Sequence, residues 1–367
     1  MAEKKRYGVL EMDDETKRKL DREIRRQPFH RAPVPEIKEM LKEVRKGMPR
    51  IIDVHCHPYT KEGWRSLGKF RTYLETYLYA KKNVTAELVT QESPTEEEWV
   101  LPYRELGVVC IPTAWAAETK MAPGDPLYKD NTNDELADLR DKFPDVVIAA
   151  WGSVDPWQGK KALQEVERCA KKLKLLGIKF QQAGQQFHVD DKKIAYPIWD
   201  LCQNLGMPVK FHCGFTGLAS GSPGGMGVKL SYTMNLIPGV DDVAADFPKL
   251  KIIMLHHAEG RDEDACLICR HKGNVYREVS GMWPEYYEVN VPRMWYEMNR
   301  RQQDKYMFGS EYNLFPLDGI LYQHLQKDYR EGLLERLFWK NTIRILGEDF
   351  DRVGVNLKEW KQNLDEV

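Results

Sequence analysis

From residue 51 onward, short apolar runs alternate with longer stretches in which apolar residues recur at helical spacing among charges. Strands covered on both faces read as continuous apolar runs, so this alternation predicts β/α units around a parallel sheet. Eight such runs can be placed, at residues 51–55, 107–112, 146–151, 177–180, 208–214, 251–257, 274–281 and 306–312. Eight units predict an α/β fold, a closed (β/α)8 or TIM barrel. The helical stretches between them, such as 160–176 and 196–206, several ended by a glycine, are its outer ring.

Residues 1–50 differ from the rest. They are charged and helix-prone up to "RKGMPR" and predict an N-terminal helical extension, packed on the barrel or on a partner subunit, ahead of a barrel domain at 51–367. The stretch 58–105 after strand one is much longer than a tight βα connection. Long insertions there sit at the catalytic mouth, and this one is expected to form a lid.

At 367 residues the chain suits one large barrel with insertions, and no run approaches the roughly 18 consecutive apolar residues of a membrane span. The first 29 residues lack the apolar core and small-residue cleavage site of a secretory signal. Seven cysteines, an odd number without a regular framework, suit a reducing compartment. A cytoplasmic protein with no membrane partner is therefore expected. A formal net charge of −1 with mixed signs offers no broad footprint for nucleic acid.

The barrel expectation gives the histidines meaning, because residues at the C-terminal ends of different strands converge on one mouth. His55 and His57 close strand one, His212 strand five, His256 strand six and Glu311 strand eight. Residues two apart on a strand point the same way, so His55 and His57 can reach one ion while Cys56 faces away. His212 adds a nitrogen and Glu311 a carboxylate, a mixed N/O set that zinc or another divalent first-row ion accepts. An isolated His-x-His is weak evidence, but the matching strand ends favour metal binding over an incidental pair.

"DVHCH" on strand one, "KFHCG" on strand five, "FPKLKIIMLHH" into strand six and "FGSEY" on strand eight resemble the amidohydrolase superfamily. More narrowly they are similar to its amidohydrolase-related group, which includes aminocarboxymuconate-semialdehyde decarboxylase and the hydroxybenzoate decarboxylases. The similarity runs from about residue 51 to the "WKNTIRILG" segment at 339–347. It implies one divalent metal per chain, Zn2+ or Mn2+ or another first-row ion, held by His55, His57, His212 and Glu311, with His256 as acid/base. The group's usual aspartate on strand eight is glutamate here, so Glu311 is expected either as a ligand or as a base.

What the resemblance implies is a lyase that decarboxylates a small aromatic or muconate-like carboxylic acid without oxidation. The alternative is a hydrolase of a lactone, amide or related bond, or a hydratase, using metal-bound hydroxide. A barrel that has lost catalysis is disfavoured, since every expected ligand position carries a coordinating group. The resemblance also implies a homo-oligomer, a dimer or larger. Aromatic faces with cationic groups suit a flat anionic substrate, and Trp64, Arg65, Phe215 and Trp283 are the expected substrate contacts. Arg65 is placed there because the decarboxylase branch has an arginine in this loop.

Four features have plainer readings. His257 is a packed core histidine, and "CLICRH" at 266–271 is helix rather than a second zinc site, because no second cysteine pair follows. Lys179 is an ordinary strand-four lysine paired with a carboxylate, not the carbamylated bridge of two-metal branches. The glycine-rich 220–227 is a loop over the mouth.

Overall fold

The computed structural model describes residues 12–26, 30–64, 93–121, 123–124 and 132–362. Eight strands run in parallel: β1 Ile51–Cys56, β2 Val108–Pro112, β3 Trp151–Gly152, β4 Gly177–Phe180, β5 Val209–His212, β6 Ile252–Leu255, β7 Val275–Val279 and β8 Tyr306–Phe308. One ladder joins β3 through β8 in sequence order, and β1 pairs with β2. Two seams complete the circle. The Cys110 N–H donates to the Val146 carbonyl at 2.8 Å, and beyond the other edge Glu311 N–H donates to the His55 carbonyl at 2.9 Å. The protein is a TIM barrel, and the helices between its strands form the ring outside it.

β3 and β8 fall furthest short of their apolar runs. Residues 146–150 meet β2 through an isolated bridge at Val147, so Val146, Val147, Ala149 and Ala150 are buried with no continuous ladder. At β8 the chain leaves the sheet at Gly309. A Cβ built there would lie 2.3 Å from Glu278 Oε2, so only glycine lets the backbone turn past that carboxyl. The turn carries Ser310 and Glu311 into the mouth.

In the leader, helices Asp14–Glu23 and Pro35–Val44 pack on the barrel. Leu20, Ile24, Ile37 and Leu41 join the main core, each side chain contributing roughly 1.5–3 kcal/mol by burial. Arg31 pairs with Asp318 at 2.8 Å, and the same carboxylate accepts from the Val34 N–H at 2.8 Å, tying the leader to helix Leu317–Leu325 after β8. The segment "CLICRH" lies within helix Asp262–His271. Among the described residues no helix is long and apolar enough to cross a membrane.

Candidate metal centre and its cavity

At the C-terminal mouth a cleft of about 650 Å3 is lined by His55, His57, His212, His256, Glu311 and Lys179, with Tyr59, Trp115, Phe215 and Phe315 among its aromatic walls. His55 and His57 project from the end of β1 with their Nε2 atoms 3.3 Å apart. Glu311 reaches both, Oε2 to His55 Nε2 at 3.4 Å and Oε1 to His57 Nε2 at 3.2 Å. Donor atoms of these three buried residues all lie within 4.8 Å of one another. Two imidazole nitrogens and a carboxylate so placed fit a divalent first-row ion.

Backbone strain helps to aim these groups. His256 has φ 64° and Glu311 φ 61°, left-handed conformations that residues with a Cβ seldom adopt. Such strain persists only where the surroundings impose it. Here it turns both side chains into the cleft just beyond the ends of β6 and β8.

Glu278 and Ser280, on one face at the end of β7, complete the arrangement. Ser280 Oγ lies 2.9 Å from His256 Nδ1, 2.8 Å from Glu278 Oε1 and 2.9 Å from Glu311 Oε2. Ser280 Oγ has one hydrogen to donate and two lone pairs, so among these three neighbours it donates to one and accepts from the others only when they carry a proton, which links their protonation states. Glu278 also accepts from the His256 N–H at 2.9 Å, fixing that backbone. His256 Nε2 in turn lies 2.9 Å from His212 Nδ1, whose Nε2 is 3.1 Å from the Phe215 carbonyl.

Burial pushes His55 and His212 well below the ordinary imidazole range, His57 below it and His256 to about 4. Neutral rings present the lone pairs that a cation needs. Burial also opposes ionisation of Glu311, yet His55, His256 and His57 around it hold its carboxyl well below the usual range. Glu278 goes the other way, raised by burial against the pull of the Lys210 ammonium. Burial lowers Lys179 to about 7.

The structure brings together most of the residues expected from sequence. His55, His57 and Glu311 form one cluster, His256 adjoins it through Ser280, and His212 adjoins His256. Phe215, 43% exposed, lines the cleft. Trp283 does not line it: its ring meets Phe315 edge-on at 5.6 Å, beneath the Arg25 guanidinium. It therefore backs a wall residue rather than facing the cavity. Arg65 and the side chain of Trp64 lie outside the described residues, as does most of the expected lid. His257 is buried against Tyr287.

Lys179 corrects its reading. No carboxylate among the described residues pairs with it; its Nζ lies 3.7 Å from the centroid of the Trp115 ring, in the cleft. Sequence reasoning also passed over Glu278 and Ser280. The signal was available in "VYREVSG", where charged residues interrupt an apolar strand and Glu278 and Ser280, two apart, share a face.

A closed parallel barrel with paired histidines and a carboxylate at its C-terminal mouth defines a metal-binding (β/α)8 enzyme. The particular family follows from comparison: the amidohydrolase family model matches residues 52–347, and this chain belongs to that family. No curated protein sequence matches the chain. Among solved structures, a TIM-barrel protein from Bordetella bronchiseptica is similar at 18% identity and TM-score 0.61, covering 82% of this chain and 99% of that one. A 5-carboxyvanillate decarboxylase from Novosphingobium aromaticivorans, complexed with manganese and 4-hydroxy-3-methoxy-5-nitrobenzoic acid, is similar at 16% identity and TM-score 0.58, covering 83% and 97%. A 2,6-dihydroxybenzoate decarboxylase from Rhizobium matches at 15% identity and TM-score 0.56, covering 82% and 100%.

Proposed function

We propose that this enzyme is a non-oxidative decarboxylase of a small, planar aromatic or muconate-like acid, with one divalent metal held by His55, His57 and Glu311. The observation that carries the reading is the His55–His57–Glu311 cluster joined through Ser280 to His256 in an aromatic-walled cleft. The decarboxylases of similar fold support it. Zinc or manganese suits the donor set, and His212, beside His256, is the proposed fourth ligand. A bound cation would supply Lewis acidity, polarising an oxygen of the substrate.

The chain's own residues account for the remainder. His57 stacks on Tyr59 at 5.0 Å and neighbours Trp115 at 5.7 Å, which makes one wall flat and apolar for a planar ring. Once the anionic substrate is bound beside it, His256 takes up a proton from solvent, delivers it from Nε2 to the ring carbon that carries the carboxylate, and returns to the neutral form. The bond from that carbon to the carboxylate then breaks, its electron pair stays with the ring, and CO2 departs, leaving hydrogen in place of the carboxylate. Ser280 Oγ holds Nδ1 on the far side of the same imidazole, orienting it for the transfer. The seven cysteines are all free and buried, as suits an enzyme of the cytoplasm.

The test is to incubate the manganese-loaded protein with 5-carboxyvanillate and a panel of hydroxybenzoates, including 2,6-dihydroxybenzoate, in heavy-oxygen water. Release of CO2 with no label in the aromatic product is expected. Label entering a product without CO2 would overturn the reading in favour of hydrolysis or hydration.

A further inference from the structure

The cleft has one cationic side chain of lysine or arginine type among the described residues, Lys179; Glu311 and Glu278 attract it from a distance, and no carboxylate among the described residues forms an ion pair with it. Lys179 lies on β4 beside Phe180, whose ring packs against Trp199 at 4.8 Å in the outer layer. Alternation along the strand therefore directs Lys179 to the opposite side, into the barrel. The β4–β5 register pairs it with a second buried lysine, Lys210. The two are used differently. The Lys210 ammonium donates to the Val54 carbonyl and lies 4.3 Å from the Trp151 ring centroid, below the cleft's lining. Among the described residues the Lys179 ammonium lies against the face of Trp115 without an ion pair, and it borders the cleft.

Two further observations locate what it could hold. Trp115 Nε1 lies 3.3 Å from His57 Nδ1, so one indole separates the Lys179 ammonium from the metal cluster. The nearby polar wall residues are occupied with each other, Gln181 Nε2 donating to Thr216 Oγ1 at 2.8 Å. A buried cation without an anion is costly, and a ligand carboxylate would offset that cost.

The geometry points to Lys179 as the anchor for a carboxylate that the substrate keeps, and hence to a planar acid with two carboxylates as the preferred substrate class. This rests on the decarboxylase reading above. Charge decides which carboxylate is held. The departing group changes from an anion to neutral CO2, so a cation paired with it would stabilise the starting state and oppose the reaction. A cation paired with a retained carboxylate positions the ring without that penalty.

The experiment measures binding to manganese-loaded wild type, Lys179→Met and Lys179→Arg. The probes are 4-hydroxyisophthalate and its analogue in which the carboxylate para to the hydroxyl is a carboxamide. Metal content and the Tm of each protein are recorded alongside. Wild type should favour the diacid by about tenfold or more, K179M should bind both probes alike, and K179R should recover part of the preference. Metal content should not change, and without ligand the Tm of K179M should equal or exceed that of wild type, since an unpaired buried charge has gone. A preference that survives in K179M overturns the inference and leaves the decarboxylase reading standing. Metal lost in K179M overturns it by assigning Lys179 to the metal centre. Wild type that binds neither probe and releases no CO2 from the hydroxybenzoate panel overturns both.

Discussion

The two ends of the barrel handle buried polarity in opposite ways. Below the N-terminal ends of the strands, cations and amides close onto backbone carbonyls and carboxylates. Arg50 grips Glu359 through Nε and Nη2 at 2.9–3.2 Å and donates to the Asp145 carbonyl at 2.7 Å. Lys251 pairs with Asp349 at 2.8 Å. Asn274 donates to the Ala244, Phe247 and Leu250 carbonyls. At the mouth, by contrast, His55 Nδ1 and Glu278 Oε2 are buried without a hydrogen bond, and Lys179 lacks a carboxylate among the described residues. His256, Ala258 and Glu311 there carry positive φ. At the first end these ionic and amide groups close onto the protein itself and serve stability; at the second, donors and acceptors face the cleft, where a ligand can meet them.

The largest effects should come from breaking the mouth. His55→Ala should empty the metal site and bring the proposed decarboxylase activity below detection, with elemental analysis showing the loss. His256→Ala should keep its metal while kcat falls roughly 10²- to 10⁴-fold, the usual contribution of a positioned acid/base group. Equal loss of metal in H256A would move His256 into the ligand set.

Ser280→Ala should cost less, roughly 10- to 100-fold in kcat, because it acts through His256 and Glu311. The pH–rate profile is the telling measurement. It should shift in S280A if Ser280 couples the two groups, whereas a packing role alone would lower the rate at every pH.

A buried histidine away from both ends separates charge burial from function. His324 lies among Phe308, Tyr287 and Phe338, with Nδ1 2.7 Å from the Tyr329 hydroxyl. Burial lowers it from 6.5 to about 3, and the neighbouring Lys327 ammonium acts in the same direction. The unfolded chain therefore takes up this proton first as pH falls. The stability from keeping His324 neutral is complete above about 6.5 and is lost as pH drops toward 3. Urea midpoints at pH 8 and pH 5 should consequently fall further in wild type than in His324→Phe.

The smallest effect belongs to the other end. Arg50→Ala removes a pair whose partners are each about one-third exposed, 32% and 39%. It should cost about 1 kcal/mol of stability and leave kcat unchanged. A fall in kcat with an intact fold would show that the two ends are not independent.

How much was legible in advance follows from how locally each feature is determined. The eight apolar runs, the same-side pair His55 and His57, and the strand-end positions of His212, His256 and Glu311 could be read directly, because period-two alternation and the convergence of barrel strands operate without knowledge of neighbours. The lengths of β3 and β8 could not, since they depend on the bridge at Val147 and on the Glu278 carboxyl behind Gly309. Trp283 looked like a substrate contact because an aromatic residue after a strand often is one; Arg25, from the leader, covers it instead.

By itself, then, the sequence determined the barrel, the shared direction of its strand ends and the chemistry of the metal-binding set, all of which follow from residue type and periodicity. Only the tertiary structure decided that Ser280 links His256 to Glu311, that Lys210 is satisfied by the Val54 carbonyl, and that Lys179 borders the cleft with an indole as its neighbour. These are meetings of side chains from different strands, and whether a buried charge is paired depends on atoms far away in the chain.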